Sequence, residues 1–161
     1  MIRAEIPTPA LLLDLDAFDA NVTTMTRCVA AHGKGLRPHA KTHKCPEIAR
    51  RLVRAGASGA CTAKLGEAEV FAAHDVRGLL VTTAVVGEAK AARAAALAHL
   101  APDTIVVADD VGQVGLLDRA AGHAGVRLRV AVDLYFGRTG VAPGAPALAV
   151  AQAIAAAAHL E

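Results

Sequence analysis

Along almost the whole of this chain, apolar β-branched runs alternate with helix-patterned runs, at a strand-to-strand spacing of roughly 20 to 25 residues. That rhythm restricts the fold more than any other feature. Two parallel neighbouring strands need a long crossover, which in practice is a helix. Gly59–Ala63 reads as a short buried strand and Leu65–His74 as a helix. Gly78–Thr83 is the next strand, followed by the alanine-rich helix Glu88–Leu100, stopped by Pro102. Thr104–Ala108 is a strand, and Asp109 or Asp110 caps a helix running to His123. Arg127–Asp133 is a further strand, and the loop Leu134–Pro146 leads into a helix from Ala147.

Ahead of this series, Pro9–Leu15 reads as a lead-in strand. Asp16 would cap a helix Asp16–His32, with Phe18, Val22, Met25 and Val29 at helical spacing and Gly33 closing it. Leu36–Lys44 then reads as a strand, and Pro46 sits at the first helical position of Pro46–Ala55, which Gly56 ends. An open doubly wound sheet and a (β/α)8 barrel both accommodate the pattern. Ala147–Glu161 is expected to run out in mid-helix with no following strand, which favours the front part of a longer barrel. The expected fold class is therefore α/β, a partial (β/α)8 barrel holding about five of eight βα units.

Hydrophobic residues make up 54% of the 161, but much of that is alanine, beside one Tyr and three Phe. Close backbone packing is expected rather than aromatic wedges. The balance of 17 Lys+Arg against 15 Asp+Glu includes no basic run interleaved with aromatics, so nothing marks a nucleic-acid surface. Cys28, Cys45 and Cys61 are an odd count without CxxC spacing, which argues against a disulfide framework and a structural zinc site. No leader segment or membrane span is read, and a soluble cytoplasmic protein is expected.

Two stretches carry candidate chemistry. In Leu36–Lys44, Leu-Arg-Pro-His-Ala-Lys-Thr-His-Lys, strand alternation would point His39, Lys41 and His43 one way. A desolvated lysine among cations such as Arg37 and Lys44 is suited to attack a carbonyl, as an aldehyde cofactor requires. A metal bound by His39 and His43, or a solvated basic loop, are the competing readings. In Val130–Val141, the strand ends in Gly137-Arg138-Thr139-Gly140, delivering Arg138 on a glycine-framed turn where βα enzymes place their sites. A surface arginine after a turn is the alternative. The strand-end residues Cys61-Thr62-Ala63-Lys64 and Thr82-Thr83 would line a shared mouth or simply terminate their strands. No GxGxxG or GxxxxGK occurs.

Taken together, these segments resemble the fold-type III pyridoxal-phosphate enzymes, and within them the D-threonine aldolase and D-serine dehydratase family, with its alanine-racemase-like N-terminal barrel. The resemblance rests on Thr8–Asp14, Leu36–Ala49, Gly66-Glu67-Ala68-Glu69, Val85-Val86-Gly87, Val132-Asp133 and Gly137–Val141. It implies that Lys41 is the Schiff-base lysine, that Arg138 reaches the phenolic oxygen of pyridoxal 5'-phosphate, and that His39 lines the cofactor site. It implies an aldolase acting on small D-β-hydroxy amino acids. The neighbouring activities are a D-serine or 3-hydroxyaspartate dehydratase, a racemase and a non-catalytic carrier of the cofactor. Residues 1–161 would be the N-terminal part of the cofactor-binding barrel, with the remaining strands and a C-terminal β-domain lying outside it. A divalent metal is expected in the intact enzyme, with none of its ligands in this chain. Incomplete barrel edges point to self-association, in this reading a homodimer.

Overall fold

A computed structural model describes residues 3–161. The chain divides into two units, one ending at Gly35 and one spanning Leu36–Glu161. In the first, a 3₁₀ turn at Arg3–Glu5 precedes helix α1, Leu15–Ala31. The lead-in strand expected at Pro9–Leu15 does not form. Pro9–Asp14 belongs to no ladder, its leucines are exposed, and Asp14 instead of Asp16 caps α1, its Oδ1 accepting from the Ala17 N–H at 3.0 Å. Gly33 does close this helix: at φ +63° it lets its own N–H and that of Lys34 reach back to the carbonyls of Ala30 and Val29. The half-buried stripe of α1 runs Phe18, Val22, Thr26, Val29. Met25 lies off it and is exposed.

The second unit is a βα series. It comprises α2 (Pro46–Arg54), β1 (Ala60–Thr62), α3 (Leu65–Ala73), β2 (Leu79–Val81), α4 (Glu88–Leu100), β3 (Ile105–Ala108), α5 (Val111–Ala124), β4 (Arg129–Val132) and α6 (Ala145–Ala156). The sheet is parallel throughout and its order is β1-β2-β3-β4. Both flanks continue that order. On one side the carbonyls of Leu36 and Pro38 accept from Ser58 and Cys61, and His39 pairs with Cys61. On the other side Leu160 pairs in parallel with Leu128, and Val130 donates to the Glu161 carbonyl at 2.8 Å. This corrects the expected mid-helix ending: α6 stops at Ala156, and the chain then returns to the sheet beside β4. A doubly wound sheet reverses its order at a switch point, and this one never does. Successive neighbours in one direction are the arrangement of a (β/α)8 barrel, here in part.

Register explains which face is covered. Ala60, Thr62, Leu79, Val81, Val106 and Ala108 point to the helices and are buried. Cys61, Leu80, Ile105 and Arg129, aligned across the four strands, point the other way and are half-buried or exposed. Small residues allow the close packing that the composition predicts. Five of the thirteen residues of α4 are buried, and four of these are alanines. At the β1 entry, Gly59 lies so close to Gly78 that a Cβ would overlap the Gly78 carbonyl. Gln113, 5% exposed, ties the layers by donating to the Val85 and Val107 carbonyls and accepting from the Asp109 N–H.

Candidate active site

The carboxyl ends of the strands gather the polar residues, as in βα enzymes generally. The first of them, Leu36–Lys44, is only half a strand. Residues 36–39 run beside β1, and Ala40–Thr42 then winds into a 3₁₀ turn with His39 as its N-cap. The turn has three residues per revolution instead of two, so His39, Lys41 and His43 do not share a face as strand alternation predicted. His39 remains on the open face of the sheet with Thr82. His43 turns towards helix α3, its ring edge-on to Phe71 at 6.3 Å, and burial holds its pKa below the usual histidine value. Lys41 projects from the turn and is exposed, in no ion pair among the described residues, instead of facing inward from a strand.

His39 and Lys41 are brought together. The Lys41 N–H donates to His39 Nδ1 at 3.3 Å, so Nδ1 carries the lone pair and Nε2 the proton. Nε2 lies 3.5 Å from Thr82 Oγ1, which itself donates to the Thr62 carbonyl at 3.0 Å. Thr82 Oγ1 is thereby left to accept, and the tautomer is consistent from end to end. Burial, then the nearby Lys41 charge, lower the His39 pKa against an opposing pull from Glu67 and so favour the neutral ring.

Glu67 is the residue that sequence reasoning passed over as a functional group. It is the N3 residue of α3, and its Oε2 accepts from the N–H groups of Ala63 and Lys64 at 2.9 and 3.3 Å. Its other oxygen meets Lys44 Nζ at 3.3 Å. Burial pushes the carboxyl up, but the hydrogen bonds from Ala63, Lys44 and Lys64 outweigh it and hold the pKa below the ordinary glutamate value. The signal was present in the sequence: a Glu three residues after a loop residue, at the head of an apolar helix.

Arg138 lies at the same end of the sheet, after β4, on a loop pinched at its base. Tyr135 donates to the Val141 carbonyl and Val141 to that of Asp133. Gly140, at φ +102°, has room for no Cβ, which would stand 2.5 Å from the Leu134 carbonyl carbon. Arg138 and Phe136 are exposed at the tip, and Arg138 makes no hydrogen bond or ion pair with His39 or Lys41. Arg37 Nε, level with the β1 entry, and Asp133 Oδ2, after β4, are buried without a partner. By alternation from His39 and Arg129 both residues belong to the open face. Of these groups the structure joins His39 and Lys41, and an exposed lysine amine is the side chain here chemically able to condense with an aldehyde. Among the described residues no group of three or more His, Cys, Asp or Glu is placed to hold a metal ion.

The unreversed parallel order and the polar strand ends together define a class, a (β/α)8-type barrel domain, here in part. The alanine racemase N-terminal domain family matches residues 13–161, and the chain belongs to that family. It is 40% identical to the D-threonine aldolase of Arthrobacter sp over 151 residues, 92% of this chain and 40% of that protein. It is 37% identical to the 3-hydroxy-D-aspartate aldolase of Paracoccus denitrificans over 163 aligned positions, 99% of this chain and 42% of that one. The crystal structure of D-threonine aldolase from Filomicrobium marinum superposes with a TM-score of 0.94 at 40% identity, covering 99% of this chain and 43% of that structure. The chain thus spans about two fifths of the length of these relatives.

Proposed function

We propose that this chain is the amino-terminal, lysine-bearing part of a pyridoxal-phosphate-dependent lyase that cleaves D-β-hydroxy amino acids to glycine and an aldehyde. The observation that carries the reading is Lys41: an exposed amine on a turn at the carboxyl end of the sheet, its backbone held by a neutral His39. Two aldolases named for D-amino acid substrates, at 40% and 37% identity, support the reaction class.

Pyridoxal phosphate, when bound, supplies an aldehyde for a lysine amine and a ring that withdraws electrons from Cα of the substrate. Lys41 would hold it, and Arg138 would lend a cationic fork to its phenolic oxygen. His39 keeps its proton on Nε2 and its lone pair on the Lys41 N–H, so it orients that turn and offers the open face a hydrogen-bond donor. Cleavage breaks the Cα–Cβ bond, removes the β-hydroxyl proton and returns a proton to Cα. Residues beyond those of this chain would complete the barrel, grip the phosphate and carry a divalent metal for the hydroxyl. The intact enzyme is read as a cytoplasmic homodimer. No helix among the described residues is long and apolar enough to cross a membrane.

Incubation with pyridoxal phosphate, borohydride reduction and peptide mass mapping test the assignment. The label is expected on Lys41 and is expected to vanish in Lys41→Ala. Labelling spread equally over the other lysines would overturn it. In the intact enzyme D-threonine should give glycine and acetaldehyde; pyruvate from D-serine would assign a dehydratase instead. The 161-residue chain alone is expected to turn over D-threonine weakly or not at all.

A further inference from the structure

A cavity of about 760 Å³ lies beside the Lys41 turn, bounded by the β1–α3 loop, the first turns of α3, the β2–α4 loop and α4. Its apolar wall includes the buried side chains of Leu65, Phe71 and Val85. Lys44, Lys64, Lys90 and Arg93 line it against one carboxylate, Glu67. Glu67 is already committed to Lys44 and to two backbone N–H groups. Arg93 is committed to Glu69 through a two-pronged fork, Nε to Oε1 and Nη2 to Oε2. Lys64 and Lys90 have no acidic partner among the described residues.

We propose that this cavity binds a small organic anion, a carboxylate or phosphate carried on an apolar body, with Lys64 and Lys90 as the ligands of the charged head. The volume is that of a small-molecule site, about 300–1,000 Å³. Two unpaired cations over a low-dielectric apolar wall concentrate the positive field at the mouth. The first turn of α3, Leu65 to Glu67, adds the positive end of a helix to the same lining. Lys41, His39 and Arg138 do not line the cavity, whereas Lys44 and Glu67, which hold the Lys41 turn, do, so the Lys41→Ala variant separates the two sites.

Phenyl phosphate and 3-phenylpropionate serve as probes, followed by calorimetry and amide shifts of the 161-residue chain, with inorganic phosphate as the bare head and benzyl alcohol as the bare body. At least one aromatic anion is expected to saturate with one-to-one stoichiometry and to shift Gly66, Ala84 and Lys90. Whichever binds more tightly identifies the head group. Inorganic phosphate and benzyl alcohol are expected to bind at least tenfold more weakly. Lys64→Glu/Lys90→Glu should weaken binding at least tenfold, Lys64→Ala/Lys90→Ala should fall between, and Lys41→Ala should bind as the unaltered chain does. No saturable shift at these amides, or unchanged affinity in both double variants, would overturn the proposal.

Discussion

The Lys44 ammonium lies 3.3 Å from a Glu67 carboxylate oxygen, while the Lys44 backbone is held at φ +47°. The pair joins the turn that carries Lys41 to the head of α3. Left-handed backbone is uncommon for lysine, and the surroundings must hold it there. The carboxylate is mostly buried at 13% exposure, and the ammonium is 63% exposed. Water therefore screens the pair, and its direct contribution is small.

Lys44 substitutions should rank by backbone tolerance. Lys44→Gly relieves a left-handed cost of about 1–2 kcal/mol and loses an ion pair of about 0–1 kcal/mol, so it should be neutral or slightly stabilising. Lys44→Val, β-branched at positive φ, should cost about 2 kcal/mol. Urea midpoints measure both; a valine variant as stable as the glycine variant would contradict the left-handed assignment.

Stability should fall as pH drops through the histidine range, in part through His39. Its pKa is lowered in the folded chain from the ordinary 6.5. Above 6.5 the ring is neutral whether folded or not, and its contribution is fully present. Below 6.5 the unfolded chain takes up the proton first, and the contribution is lost as pH falls through the folded value. Melting curves between pH 7.5 and 5 should show a shallower decline in His39→Asn than in the unaltered chain.

Gly59→Ala is expected to be among the most damaging single changes. The added Cβ would meet the Gly78 carbonyl, and φ +137° at Gly59 is strained for any side chain. A loss of about 4 kcal/mol or more is expected, read as a collapsed unfolding midpoint. Gly56→Ala keeps free space around its Cβ, although its φ is +102°, and should cost far less.

Gln113→Leu should remove both partners of the Val85 and Val107 carbonyls and the acceptor of the Asp109 N–H. With each buried unmade bond costing about 1–3 kcal/mol, a net loss of about 3 kcal/mol is expected. Hydrogen exchange at the Asp109 amide should accelerate with it.

Most helices were legible because their signals are local. Pro46 at the start of α2, Asp110 capping α5 through the Gln113 N–H, and Gly33 and Gly56 at positive φ after their helices all act within one turn. Glu88–Leu100 was read with the bounds it adopts. Three expectations failed where the outcome depends on pairing. Pro9–Leu15 has strand composition, yet a strand exists only where its N–H and C=O groups find a ladder, and these do not. His159–Glu161 looked like the tail of a helix, yet its backbone pairs with Leu128 and Val130. Leu36–Lys44 keeps its ladder for four residues and then curls, which separated His43 from His39.

From the sequence alone came the βα rhythm, the alanine-led packing and Lys41 as the candidate reactive amine, because composition and neighbouring residues carry them. Tertiary structure decided the rest. The unreversed strand order chose a partial barrel over a doubly wound sheet, since order is a property of long-range pairing. The 3₁₀ turn exposed Lys41 and gave its N–H to His39. Burial lowered the His39 pKa and brought Thr82 Oγ1 to its Nε2, since desolvation and that partner exist only once distant segments meet.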